Sequence, residues 1–176
     1  MNAPSEAASR APVLAALRHT GALLQRLPRA AGVVLALGWI GTIWFLSDQS
    51  PSDEPHAFGT SWLSNTAHAP LFGLLAFWMI LGLERSGGWP RFTRRALTTL
   101  LLLALAYGCI DEWHQSHTPG RFPSVWDVVT DLVGASCTLW IVRYVGTSAA
   151  SEQGLRGRLV IGLLLCALAG LVSSLL

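Results

Sequence analysis

Charge is scarce in this 176-residue sequence. Only 12% of its residues are Asp, Glu, Lys or Arg, about half the roughly 25% of a soluble domain. That excludes an ordinary water-soluble globule, a disordered chain and a collagen-like one. Lysine is absent: all twelve basic residues are arginine. Cysteine is confined to Cys109, Cys137 and Cys166, odd in number, widely spaced and each inside an apolar stretch. No pair has zinc-ligand or redox-motif spacing, and a disulfide-stapled secreted fold is excluded. The three read as small packing residues. No internal repeat is apparent.

What is present is apolar. Hydrophobic residues make up 52% of the chain, and the mean hydropathy is +0.47. They gather in five runs, at about 30–46, 67–83, 96–110, 125–142 and 159–176, each close to the roughly 20 residues that cross a bilayer as helix. A bilayer leaves no water to satisfy open backbone groups. The expected fold is therefore all-α, a polytopic membrane bundle of five transmembrane helices with an N-terminal amphipathic interfacial helix. The organisation expected is a cytoplasmic tail and amphipathic helix at 1–29, a four-helix membrane core at 30–145, a cytoplasmic loop at 146–158 and a fifth span at 159–176.

Alternating the sides of the membrane span by span sorts the arginines. Eleven fall on one side and only Arg121 on the other, where it faces seven carboxylates. The positive-inside bias then predicts a multi-pass protein of the cell inner (plasma) membrane, with the N-terminus cytoplasmic and the C-terminus extracytoplasmic. A four-span or six-span count loses this segregation. The first run begins too late and is too long for a signal-peptide core, and it lacks an A-x-A-like site before Asp48, so it is read as a span. Upstream, Val13, Leu14, Leu17, Leu24 and Leu27 share one side of a helical wheel, and Arg18, His19, Gln25, Arg26 and Arg29 the other, the pattern of a helix lying on the inner leaflet. Trp44, Trp62, Trp113 and Trp126 fall near the outer boundary and Trp89 and Trp140 near the inner one, as aromatic belts require. Anionic lipid accounts for the basic inner face, so the partners expected are membrane lipids and no nucleic acid.

The chemistry-capable residues gather at one end. Run one exits into Ser47-Asp48-Gln49-Ser50, and run two enters through Ser64-Asn65-Thr66-Ala67-His68. Run three exits through Asp111-Glu112-Trp113-His114-Gln115, and run four enters through Arg121, Ser124, Asp127 and Asp131. Ser124 and Asp127 match a capping box, which gives Asp127 a structural reading beside a functional one. Asp131, one turn deeper on the same side, is not explained by a cap, and a carboxylate at that depth by default marks function. Asp111, His114 and Gln115 share a helix face, while Glu112 points toward a different neighbour. His68 falls in the first turn of its run, two residues before Pro70. Thr118-Pro119-Gly120-Arg121 reads as a turn projecting Arg121, which is expected to pair with at least one of the outer carboxylates and so to brace the site, hold a substrate anion bidentately, or both.

Asp111-Glu112-Trp113-His114-Gln115, then Pro119-Gly120-Arg121, then Ser124, Asp127, Asp131 and Gly134, is a combination that resembles the VanZ-like membrane family. Phe45-Leu46-Ser47-Asp48-Gln49-Ser50 and His68 resemble its earlier motifs. The resemblance runs from about residue 38 to 145. Two positions depart from it: the family often has Asp-Lys where this chain has Ser64-Asn65, and often Asn at the position of Asp131. The family takes its name from a protein giving low-level resistance to the glycopeptide teicoplanin, so the resemblance implies a cell-envelope role without supplying a reaction.

One expected function is an enzyme acting from the outer leaflet on a lipid-linked or cell-wall substrate. Asp111 or Glu112 would serve as base, His68 or His114 as acid, and Arg121 as anion clamp. Gln115, Gln49, Ser47, Asp127 and Asp131 would complete the binding surface. No cofactor is identifiable and no metal ligand set is assigned; a phosphorylated substrate would need Arg121 freed or a divalent cation across Asp111, Glu112 or Asp127. The alternatives are a non-catalytic binder of a lipid headgroup or antibiotic, a transporter, which the absence of a two-fold repeat disfavours, and a cluster that merely ties helices together; a lipid-linked cell-wall precursor or a glycopeptide is the further partner considered.

Overall fold

The computed structural model describes residues 12–49 and 58–175. They form helices α1 (Pro12–Leu24), α2 (Arg29–Ser47) and α3 (Phe58–Leu81), a hairpin of β1 (Arg85–Ser86) and β2 (Trp89–Pro90), then α4 (Arg94–Gln115), α5 (Val125–Val145) and α6 (Glu152–Leu175). The fold is helical, as expected. Four helices, α2, α4, α5 and α6, are long and apolar enough to cross a membrane. Polarity is arranged inside out: Val34 and Leu37 of α2 and Leu163 and Leu164 of α6 are exposed, while Asp111, Thr130 and Asp131 are buried. Such a surface suits hydrocarbon rather than water.

α3 runs through the middle of the bundle. Its Phe72, Leu75 and Ala76 are buried against Ala36 and Ile43 of α2, Ala104 and Tyr107 of α4 and Ala135 of α5. Further along, Ile80 packs with Leu100 and Leu139. Without a hydrophobic effect between spans, contact depends on close backbone approach at small residues. Gly134 provides it, for a Cβ there would lie 2.0 Å from the Ala69 carbonyl oxygen. Two side-chain donors add direction: Trp39 Nε1 gives a bond of 2.9 Å to the Leu71 carbonyl, and Tyr107 Oη one of 2.8 Å to that of Ile40.

Helix boundaries differ from the apolar runs. α3 begins at Phe58, more than two turns before run two, so His68 and Pro70 lie in its interior rather than its first turn. Pro70 has no N–H for the Thr66 carbonyl, and the helix continues through it. α6 begins at Glu152, where the Ser151 hydroxyl accepts the Gly154 N–H at 3.1 Å, so the connection from α5 is only 146–151. In both cases polar helical turns extend an apolar run, and hydropathy does not register them. The hairpin was not anticipated either. Gly87 (φ 60) and Gly88 (φ 74) both take left-handed backbone, the signature of a two-residue type I′ turn.

α1 packs across the end of the bundle formed by the hairpin, the last turn of α5 and the first of α6. Leu14 is buried with Val145 and Leu155. Arg18, expected on the polar side of an interfacial helix, folds back so that Nε donates to the Val145 carbonyl at 3.0 Å and Nη2 to that of Thr147 at 2.6 Å. Arg29 Nε likewise donates to the Gly82 carbonyl beyond α3, at 3.0 Å. Arginines at this end satisfy the orphan carbonyls of helix C-termini. The helix stops at Leu24, and Arg26 and Leu27 belong to the turn before α2.

Candidate functional site

At the other end of the bundle lie the end of α2, the middle of α3, the end of α4, the start of α5 and the end of α6. Five carboxyl and imidazole side chains are buried there: His68, Asp111, Glu112, Asp127 and Asp131. Polar side chains at that depth persist only when satisfied, and each bond here crosses between helices or braces one that does.

Asp111, only 1% exposed, receives the Ser47 hydroxyl on Oδ1 at 2.6 Å and Gln115 Nε2 on Oδ2 at 2.9 Å. Gln115 sits one helical turn on, so one α4 face carries both. Glu112 points instead toward α5, as its spacing suggested. Its Oε2 accepts the backbone N–H of Ser124 at 2.6 Å, and Gln115 Nε2 approaches Oε1 at 3.5 Å. The Ser124 hydroxyl accepts the Trp126 N–H at 3.2 Å. Ser124 is thus the N-cap of α5, but the acid that returns a bond to it comes from α4. That leaves the Asp127 carboxylate available to another partner, and Oδ1 accepts the Ser173 hydroxyl of α6.

His68 reaches from α3 to Asp131, 0% exposed on α5, with Nδ1 and Oδ1 3.1 Å apart. With Asp131 ionised, the carboxylate only accepts and Nδ1 carries the hydrogen, which turns the Nε2 edge away from Asp131. Asp131 Oδ2 is buried with no hydrogen-bond partner among the described residues. It faces α4 at Gly108, where a Cβ would stand 2.9 Å away; any larger residue would displace the carboxylate. One ligand atom from each of His68, Asp111 and Glu112 lies within 4.8 Å of the others, so these three could share a metal ion.

Other sequence-derived candidates lie elsewhere. His114 turns to the flank of α2, stacked on Trp44 at a centroid distance of 3.8 Å and 3.5 Å from Asp48 Oδ1. Gln49, just past the end of α2, donates back to the Phe45 carbonyl of that helix at 3.0 Å. Arg121 was expected to pair with a carboxylate. Among the described residues it instead donates through Nε to the Gln49 carbonyl at 3.1 Å and through Nη2 to that of Leu46 at 3.2 Å. The end of α2 offers it carbonyls at the negative pole of a helix. Asp53 and Glu54, also counted in the outer acidic layer, lie outside the described residues. Sequence reasoning missed Ser173, a serine near the end of an apolar run, and the space-making role of Gly108. The first carries no signal without the helix pairing.

Neither the curated proteins nor the solved structures contain a significant match to the chain. A family model described as VanZ/LLP1 does match, over residues 32–146. It spans α2 through α5 and therefore Ser47, His68, Asp111, Glu112, Asp127 and Asp131, leaving α1 and α6 outside. The match covers well over half of the sequence, and the chain belongs to the VanZ/LLP1 family.

Proposed function

We propose that this chain is a five-span protein of the plasma membrane whose polar end faces out of the cell and works on a lipid-linked or cell-wall component at the outer leaflet. α3, 24 residues long and central in the bundle, is the fifth span. α1 lies on the inner face as an interfacial anchor. The arginine bias supports the orientation, since the end bearing Arg18, Arg29 and Arg85 is where the positive-inside rule puts the cytoplasm.

The observation that carries the functional reading is the meeting of His68, Asp111 and Glu112 in one buried layer, with Asp131 behind the imidazole. A histidine held in one tautomer by a carboxylate is built to move a proton at Nε2. Asp111 and Glu112 are the neighbouring carboxylates for a complementary base. In this reading His68 serves as acid or base in preference to His114, Asp131 positions it, and Arg121 braces the α2 terminus. Asp127 ties α6 to the site. Action on glycopeptide tolerance, the property behind the family's name, belongs to the same proposal.

A second reading has specific support. Ser47–Asp111, Ser124–Glu112, His68–Asp131 and Ser173–Asp127 each join two helices, as purely structural ties would. Purified protein incubated with extracted envelope lipids separates the two. Turnover, or saturable retention of one lipid class, that is lost in His68→Ala and Asp111→Asn while the protein stays folded supports a working site. No turnover and no lipid selectivity in the folded wild type leaves only the structural role.

A further inference from the structure

The polar layer contains four buried carboxyl groups, Asp111, Glu112, Asp127 and Asp131, and one imidazole. The nearest arginine in sequence, Arg121, is committed to carbonyls of α2. Removing charge from water without a counter-charge is expensive. Hydroxyl, amide and backbone N–H donors offset part of this at Asp111, Glu112 and Asp127. They do not reach Asp131 Oδ2, which is buried and unpartnered and faces the α4 wall one turn from Asp111 and Glu112.

We propose that His68, Asp111 and Glu112 bind a divalent transition-metal ion, of the Zn²⁺ or Mn²⁺ type, through His68 Nε2 and one oxygen of each carboxylate. This deepens the reading above and rests on the same cluster, not on the identity of a lipid. A divalent ion offsets two of the four buried carboxylates, which lowers the cost of holding charge in a low-dielectric bundle. One nitrogen and two oxygens favour borderline transition ions over Mg²⁺ or Ca²⁺, which prefer all-oxygen sites.

Each ligand already has the outer partner that metal sites use to fix orientation. Asp131 holds His68 through Nδ1, Ser47 and Gln115 hold Asp111, and the Ser124 N–H holds Glu112 by Oε2, leaving Oε1 with only the long contact to Gln115. Three protein ligands leave a position for water or substrate, the pattern of catalytic rather than structural zinc. One ligand atom from each of the three lies within 4.8 Å of the others; bonds of about 2.0–2.2 Å in tetrahedral geometry need such atoms about 3.4 Å apart, so side-chain rotation has to draw them together.

The test uses the full-length chain in detergent, stripped with EDTA and dialysed against Zn²⁺ or Mn²⁺ alone. The wild type is expected to retain a single ion per chain. Asp111→Asn, Glu112→Gln and His68→Ala are expected to weaken retention by roughly tenfold or more, and Asp48→Asn to leave it unchanged. A wild type that retains neither ion, or Asp111→Asn and Glu112→Gln variants that hold it as tightly, overturns the proposal. Because a variant can fail to fold, Co²⁺ is added to the stripped wild type. Visible bands of low-symmetry Co²⁺ that Zn²⁺ abolishes support the site, and a spectrum identical to free Co²⁺ overturns it. Lipid turnover that persists without metal removes the metal and leaves the acid–base reading standing.

Discussion

Glu112 of α4 caps a helix to which it does not belong. Its Oε2 lies 2.6 Å from the backbone nitrogen of Ser124, taking the place that Asp127, the third residue of α5, would occupy in a self-contained capping box. The substitution of one acid for another frees Asp127 to hold α6 and fixes Glu112 beside Asp111.

Glu112→Ala is expected to lower stability by about 1–3 kcal/mol, the cost of leaving a buried group unpaired. Glu112→Gln, which keeps an acceptor oxygen, is expected to cost less than half as much. Thermal unfolding in detergent measures both. Equal losses would mean that charge, not the cap, is what Glu112 supplies.

His68 and Asp131 are expected to be energetically coupled. A double-mutant cycle with His68→Ala and Asp131→Asn should give an interaction of about 0.5–3 kcal/mol. Additive effects would show that the 3.1 Å contact contributes nothing net.

Ser173 is the link between the site and a helix outside the family match. Ser173→Ala is expected to cost about 1.5–3 kcal/mol, as for hydrogen bonds to charged groups. It should become neutral when Asp127 is already Asn or Ala. Loss of the same amount in an Asp127→Ala background, again read by thermal unfolding, would assign the effect to packing instead.

Much of the bundle was legible because lipid-facing helices are apolar over long runs, and polar residues at alternate run ends must share a layer. That reasoning brought His68 to Asp111 and Glu112 across a large sequence separation. It did not place α3 and α6 correctly at their starts, because Ser64–His68 and Glu152–Arg158 are helical without being apolar. Nor did it place Arg121, whose attraction to the α2 carbonyls depends on where that helix ends relative to the 118–121 turn. His114 shares a helix face with Asp111 by spacing, yet the stacking surface of Trp44 draws it aside. Local periodicity fixes a face; the neighbour that fills it is a tertiary fact.

Orientation has its own test. With Cys109, Cys137 and Cys166 replaced by Ala, a single cysteine at Phe122 is expected to react with a membrane-impermeant maleimide in intact cells. One at Gly87 is expected to react only after lysis. The reverse pattern would place the polar end in the cytoplasm.

The most direct measurement of the central claim introduces His68→Ala, Asp111→Asn and Glu112→Gln singly into the producing cell. Membrane abundance is scored beside sensitivity to teicoplanin and other envelope-directed agents, with a deletion strain as reference. A working site predicts near-normal abundance with the deletion phenotype in each variant. Wild-type phenotype in every variant, at normal abundance and where the deletion itself has a phenotype, would contradict it.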